Sequence, residues 1–565
     1  MTFHPALGAC TRLLDSAFVA AVALLPAFLA ADDLAPALAS FSADRIRTHI
    51  AVLASDEFEG RAPATPGEEK TVAYLAAELK QIGLQPGNPD GTWFQSVPMV
   101  GLTSSITTSI NVGGHTLDLV PVSDYVALSR RVTGRVDVKD SPVVFVGYGV
   151  DAPEYHWDDY KGVDLHGKTV IMLINDPPVP DPRNPSRIDD TVFKGRAMTY
   201  YGRWTYKYEI ASARGAAACL IIHETGPAGY PFSVVGAGWG REDFDLRTPD
   251  GNAGRVALEG WLTLDMAKRL FAAAGQDFAA LKASAVRRDF QPVPLKAKAS
   301  FSVQNQVRQV VSRNVVGLLP GSDPGLKNEF VIYSTHWDHL GRNPRLKGDQ
   351  IFHGAADNAS GCAVLMEIAR ALRALPVAPK RSILFAFVTA EEKGLLGSRY
   401  YAEHPLYPLV RTLANLNLDA VNLRGLTSEV EIIGHGNSTI EDIGAAVAQA
   451  EGRQVIPDTN VEKGYFYRSD HFEFAKAGVP AFYPKAGKTY LGRPAGWGRQ
   501  QEDLYTVNDY HQVTDVAKSD WVYEGAIQDG AYLLKVGYAI AQGDRRPEWK
   551  SGSEFKDRHD AMMRQ

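Results

Sequence analysis

Apolar residues recur along this chain in two rhythms. Between Gly67 and Gly83, Val72, Leu75, Ala76, Leu79 and Ile82 fall on one helical face, opened near Pro66 and stopped by Gly83. That spacing predicts a surface helix covering a core. From Leu102 to Val132 the pattern shortens to alternating runs rich in Thr, Ser and Val, of which Ile106 to Val112 reads as a strand. Ser141 to Val150, Lys168 to Ile174 and Ala217 to Ile222 are apolar runs that read as buried strands. A Pro-rich loop, Pro177 to Pro185, and a helical stretch, Trp204 to Ala213, separate the last two. Roughly residues 136–295 therefore predict a self-contained β-rich unit inserted into another domain.

Farther along, Glu329 to Thr335, Ser382 to Thr389 and Leu413 to Leu418 are apolar strands, with helices predicted at Gly361 to Leu375 and Leu395 to Glu403. Strands alternating with helices predict an α/β fold, a sheet with helices on both faces. In such sheets ligands gather beyond the carboxyl ends of the strands. Val513 to Gly543 repeats at helical spacing and predicts a long packing helix, whereas the polar stretch Asp544 to Gln565 predicts a frayed end. The expected division is a leader over 1–31, a first part of the main domain over 32–135, the insert over 136–295, the second part over 296–545 and a polar tail over 546–565.

At 565 residues the chain exceeds what one hydrophobic core covers, which agrees with that division. Hydrophobic and charged fractions of 45% and 22% are those of a globular chain and exclude wholesale disorder. A formal net charge of -6 without a long basic run argues against nucleic-acid and anionic-membrane partners. Ser16 to Ala31 is apolar, follows Arg12 and gives way to Asp32 and Asp33, the pattern of a cleaved export signal. It is too short to span a bilayer, so no stable membrane insertion is expected once it is removed. Only Cys10, Cys219 and Cys362 are present, so there is no disulfide framework, and the last two read as buried free thiols.

Metal-binding residue types collect where the second set of strands ends. His336 and Asp338 follow one strand directly. Asp357 stands in the small-residue turn HGAADNASG, where it either caps the next helix or bridges two metals. Glu391 and Glu392 are adjacent acids after the strand SILFAFVT, an arrangement that repels itself unless a cation or a shared proton offsets it. One of the two can ligate a metal while the other moves protons. Asp419 closes a third strand, and His511 lies in DYHQVTD. Ligand types at several strand ends on one rim point to a metal site, and two zinc ions sharing a carboxylate would activate a bridging water for hydrolysis. Asp470 and His471, in RSDHFEF, read as substrate-pocket or supporting residues, and His353 and His339 as pocket-lining or packing residues.

The succession STHWDHLG, GAADNASG, TAEEKGLLGS, NLDAVN and YHQVTD resembles the co-catalytic di-zinc exopeptidases. That family includes bacterial leucyl aminopeptidases and, more distantly, glutamate carboxypeptidase, glutaminyl cyclase and the transferrin receptor. The likeness covers roughly residues 40–135 and 300–545. It implies a mixed central sheet and two zinc ions per chain, with His336 and Asp419 on one, Glu392 and His511 on the other and Asp357 between them. Glu391 would be the general acid/base, Asp338 would orient His336, and Tyr510 would help bind the oxyanion. The insert resembles a protease-associated domain, which in relatives restricts substrate length.

The resemblance thus implies an exported metallo-aminopeptidase, periplasmic or released, whose partners are peptide substrates. A metallo-carboxypeptidase and a glutaminyl-cyclase-like acyltransferase are the alternatives on the same fold. A receptor-like ectodomain would lack the ligands, all of which are present here. The sequence is silent on assembly.

Overall fold

A computed structural model describes residues 31–239 and 241–564. The export leader, apart from Ala31, and Cys10 lie outside the described residues. Among the described residues no helix is long and apolar enough to cross a membrane.

The second half of the chain builds a mixed sheet with helices on both faces. Strands Phe330–His336, Ser382–Val388 and Thr412–Asn417 run parallel side by side, and Ala481–Ala486 extends them. The first three are buried at every position. Uninterrupted apolar runs are what a parallel strand covered on both faces requires. Alternate residues divide between two cores. Val331, Tyr333, Ile383 and Phe385 join the layer of helices Ser360–Arg373 and Glu524–Gln542. Ile332, Leu384, Ala386 and Val388 join Tyr401, Phe474 and Met562 on the other face. The helix expected over 67–83 forms as Pro66–Ile82, with proline in its first turn and Gly83 at its cap.

The middle of the chain departs from expectation. Its core holds Phe145, Ile171, Leu220 and Leu262, but also Ile110 and Val112 from before residue 136 and Phe301 and Val303 from after 295. Strand Val293–Leu319, 27 residues long, pairs with Arg135–Phe145 through its first part and with Ser382–Val388 through its last. One 16-stranded sheet therefore runs through both cores, and the middle region is not a self-contained unit. Nor is it purely β. Arg135–Phe145, Thr169–Leu173, Ala218–His223 and Leu258–Thr263 are parallel neighbours, with helices Trp204–Ala213 and Leu264–Ala273 packed on them. The Thr-, Ser- and Gln-rich halves of the long strands read as short pieces in sequence because one of their faces is wet.

The C-terminal expectations also change. The long helix begins at Glu524, because Asp515 and its neighbours are committed to the site instead. The polar end is not frayed: Trp549, Phe555 and Met562 are buried, and Lys556–Met563 is a helix. Widely spaced anchors among charged residues show no period to read. Cys219 and Cys362 are buried and free, as expected.

Gly537 marks the closest approach of helix Glu524–Gln542 to the sheet, since a Cβ there would overlap the Tyr333 hydroxyl. That hydroxyl is hydrogen-bonded to the Leu533 carbonyl at 3.2 Å. Gly→Ala inside a helix ordinarily gains about 1 kcal/mol, whereas overpacking a core costs about 1–3 kcal/mol. Gly537→Ala is therefore expected to lower the midpoint of urea unfolding, and a raised midpoint would contradict this packing.

Candidate metal centre

The parallel strands deliver their ends to one rim. His336 pairs in register with Val388 and Ser334 with Asn417, so Asp419, two residues beyond Asn417, comes level with His336. Glu391 and Glu392 follow just past Val388. The connections there are strained: Ala390, Ala420 and His511 have φ of 53°, 54° and 58°, in the left-handed region that costs a non-glycine residue about 1 kcal/mol or more. Gly354, with φ 56°, opens the Asp357 turn, and a Cβ on it would overlap the His339 ring. The Asp357–Asn358 peptide is cis.

Four polar residues hold these loops in place. Asn358 donates to Thr335 Oγ1 at 2.9 Å and the Leu418 carbonyl at 3.2 Å, and accepts from the N–H groups of Gly361 and Ala420 at 2.9 and 3.2 Å. Asp515 accepts from the N–H groups of Ala356 and Asp357 at 3.0 and 3.1 Å. Arg61, fully buried, donates to the carbonyls of Leu53, Trp337, His353 and Gly354. Asp338 accepts from the N–H groups of Glu391 and Glu392 at 3.0 and 3.4 Å.

Within this frame His336 Nε2 lies 3.2 Å from Asp357 Oδ1 and 3.4 Å from Asp419 Oδ1, with Glu391 Oε2 farther off at 4.0 Å. His511 Nε2 lies 3.4 Å from Asp357 Oδ2 and 3.0 Å from Glu392 Oε2. The two oxygens of Asp357 thus face two different imidazoles. The ligand-type atoms also form two tight groups, His336 with Glu391 and Asp419, and His339 with Asp357 and Glu392. His336 Nδ1 donates to the backbone carbonyl of Asp338 at 3.1 Å, which leaves Nε2 as the lone-pair nitrogen.

Charge in the centre is tightly coupled. Burial disfavours a charged His336, yet Glu391, Asp357 and Asp419 outweigh it and push its pKa well above the ordinary value. Burial likewise opposes a charge on His511, which Glu392 and Asp357 nonetheless raise to about 10. Burial would raise Asp357 and Glu392, but the facing imidazoles hold both below the usual carboxylate range. Burial pushes Glu391 well up, with Asp419 and Glu392 adding to it.

The donor set fits divalent zinc. Tetrahedral zinc bonded at about 2.0–2.1 Å leaves ligand atoms about 3.3 Å apart, and the facing atoms here stand 3.0–3.4 Å apart. His336 Nε2 and His339 Nε2 are buried without a hydrogen-bond partner among the described residues. Orphaned polar atoms of this kind are costly unless something binds them.

The structure brings His336, Asp338, Asp357, Glu391, Glu392, Asp419, Tyr510 and His511 to one place, where a cleft of about 560 Å³ opens over the acids. Tyr510 stacks on His511 with ring centres 4.0 Å apart. Three other residues take the supporting or packing reading rather than the pocket one. His353 does not line the cleft, because its ring is held by the Ala54 carbonyl at 2.9 Å and Asp349 at 3.1 Å. His471 is buried between Phe466 and Tyr483, and burial lowers its pKa to about 3. Asp470 is buried behind the rim, accepting from Ser398 at 2.6 Å, and burial raises its pKa to about 7. Asp338 also acts differently: its carboxylate is 3.8 Å from His336 Nδ1 and holds the Glu391–Glu392 turn instead. Sequence reasoning undervalued His339, whose Nδ1 is 2.7 Å from Glu392 Oε1. It also missed Asp515, although YHQVTD contains it, and Arg61.

Residues 314–533 match the model of Peptidase family M28, so this part of the chain carries M28 homology. Aminopeptidase NAALADL1 of Mus musculus is 38% identical over 132 residues, 22% of this chain and 16% of that protein. Aminopeptidase YwaD of Bacillus subtilis is 36% identical over 137 residues, 24% of this chain and 27% of that one. The matches to these curated relatives span about a quarter of their length or less. An aminopeptidase structure from Aneurinibacillus sp. strain AM-1 shares the fold, with a TM-score of 0.50 at 19% identity over 90% of this chain and 96% of that one.

Zinc that binds only the folded site stabilises it, by about 2.7 kcal/mol at a hundred times Kd. Chelator-stripped protein is expected to melt several degrees higher when zinc is restored. An unchanged melting temperature would argue against the metal reading.

Proposed function

We propose that the protein is an exported di-zinc aminopeptidase that removes N-terminal residues from peptides. The observation that carries this reading is the pairing of Asp357 with two imidazoles while Glu391 stands apart, facing the cleft. His336 and Asp419 would hold one ion, Glu392 and His511 the other, and Asp357 both. His339 would fix Glu392 from behind. Bound zinc would polarise the scissile carbonyl and acidify a water.

The chain's own groups supply the remaining chemistry. Glu391 takes the proton from the attacking water and delivers it to the leaving amine. Asp338 keeps Glu391 aimed by holding its backbone N–H at 3.0 Å. Tyr510, fixed by stacking on His511, is placed to donate to the developing oxyanion. With Asp357 and Asp419 committed to the metals, Glu391 is the acidic group on the floor of the cleft left to face a substrate ammonium group.

Residues 136–295 are proposed to act as a protease-associated-like cover between the two parts of the catalytic domain, 32–135 and 296–545. Gly229 borders the cleft and the Ala228 carbonyl accepts from Arg468 at 2.6 Å, so this region closes the far end and favours short peptides. The apolar run before residue 32 supports export.

Glu391→Gln is expected to lower kcat on a leucine anilide by about 100-fold or more while zinc content stays unchanged; near-normal turnover would refute the assigned role. Peptides with a free amino terminus should be cut and their N-acetylated forms left intact. Equal cleavage of both would exclude an aminopeptidase.

A further inference from the structure

Cations collect at the far end of the cleft, where Asp458 and Glu502 offset Lys485 only in part. Arg203 is 8% exposed, and its side chain makes no hydrogen bond among the described residues. Its neighbour Arg468 borders the cleft. Arg468 donates one Nη2 bond to the Ala228 carbonyl, leaves its buried Nε without a partner, and packs over the rings of Tyr230 and Tyr465 at 5.0 and 5.6 Å. Burial and then the repulsion from Arg468 lower the Arg203 pKa to about 10. Lys485 Nζ lies 5.1 Å from the centre of the Tyr465 ring and also borders the cleft. Tyr510, beside the metal centre, is within the field of Arg468.

A guanidinium group that keeps a buried N–H without a partner is costly, and an anion bound to it removes that cost. Arg presents the planar fork that binds a carboxylate with two parallel bonds.

Resting on the aminopeptidase reading, we propose that Arg468, backed by Arg203 and faced by Lys485, binds a carboxylate of the substrate, so that the preferred substrates are short peptides carrying a carboxylate just beyond the scissile bond. The acidic floor takes the ammonium end and the basic wall takes the carboxylate. Tyr465 separates the cations and keeps the site from closing on itself. The carboxylate comes either from the C-terminus of a dipeptide or from an acidic side chain.

The test compares zinc-loaded protein on leucylglycine, leucylglycine amide, leucyl-aspartyl amide and a leucine anilide. Wild type is expected to favour leucylglycine over its amide by about ten- to a hundred-fold in kcat/KM, mainly through KM. A preference for leucyl-aspartyl amide over leucylglycine amide identifies a side chain as the carboxylate source, and its absence identifies the terminus. Arg468→Gln and Arg203→Gln should each collapse the acid-over-amide ratio, whereas Arg203→Lys, which keeps the charge should the neutral variant fail to fold, should retain most of it. Equal kcat/KM for all the peptides in wild type, or a ratio that survives in Arg468→Gln, overturns the proposal. Failure to cut any substrate, the anilide included, overturns the aminopeptidase reading instead. Calorimetric titration of Glu391→Gln protein with leucylglycine and its amide then still decides the clamp: tighter binding of the acid supports it and equal binding overturns it.

Discussion

Mutual repulsion among buried carboxylates governs this molecule. Asp338, Asp357, Glu391, Glu392 and Asp419 converge on a single rim, where imidazoles and two backbone N–H groups face them. Without a metal the repulsion favours protons on the facing imidazoles and on Glu391, the direction in which the pKa values of His336, His511 and Glu391 are pushed. Divalent cations relieve the same repulsion and also satisfy the Nε2 atoms of His336 and His339, which have no hydrogen-bond partner among the described residues. The rest of the structure can be understood as the means of keeping these side chains together against that cost.

The means are mechanical. Parallel strands buried on both faces fix the level at which His336 and Asp419 emerge. Asn358, Asp515, Arg61 and Asp338 then spend nearly all their hydrogen-bonding capacity on backbone groups of the ligand loops. Strained φ at Ala390, Ala420 and His511 persists because those contacts over-determine it. The middle region, continuous with the first core through Val293–Leu319, brings Ala228 and Gly229 across the cleft, where the Ala228 carbonyl meets Arg468.

Much of this was legible in the sequence, for identifiable reasons. Continuous apolar runs such as FVIYST and SILFAFV can only be covered strands, and an acidic pair directly after one of them is too costly to be incidental. The long strands Phe94–Val112 and Val293–Leu319 were not legible, because half of their length faces water and follows Thr, Ser and Gln rather than apolar alternation. Nor were supporting roles. The family resemblance makes Asp338 a partner of His336, and only the turn at Ala390 shows that its oxygens go to Glu391 and Glu392. His353 and His471 have the residue type of a site but the surroundings of a core. The opposed arginines Arg203 and Arg468, far apart in sequence, become neighbours only through the fold.

Metal stoichiometry tests the central claim most directly. Elemental analysis of the purified protein should find two zinc ions per chain, and Asp357→Ala, which removes the carboxylate shared by both imidazoles, should lose both. A wild-type protein without bound metal, or a full complement in Asp357→Ala, would contradict the account.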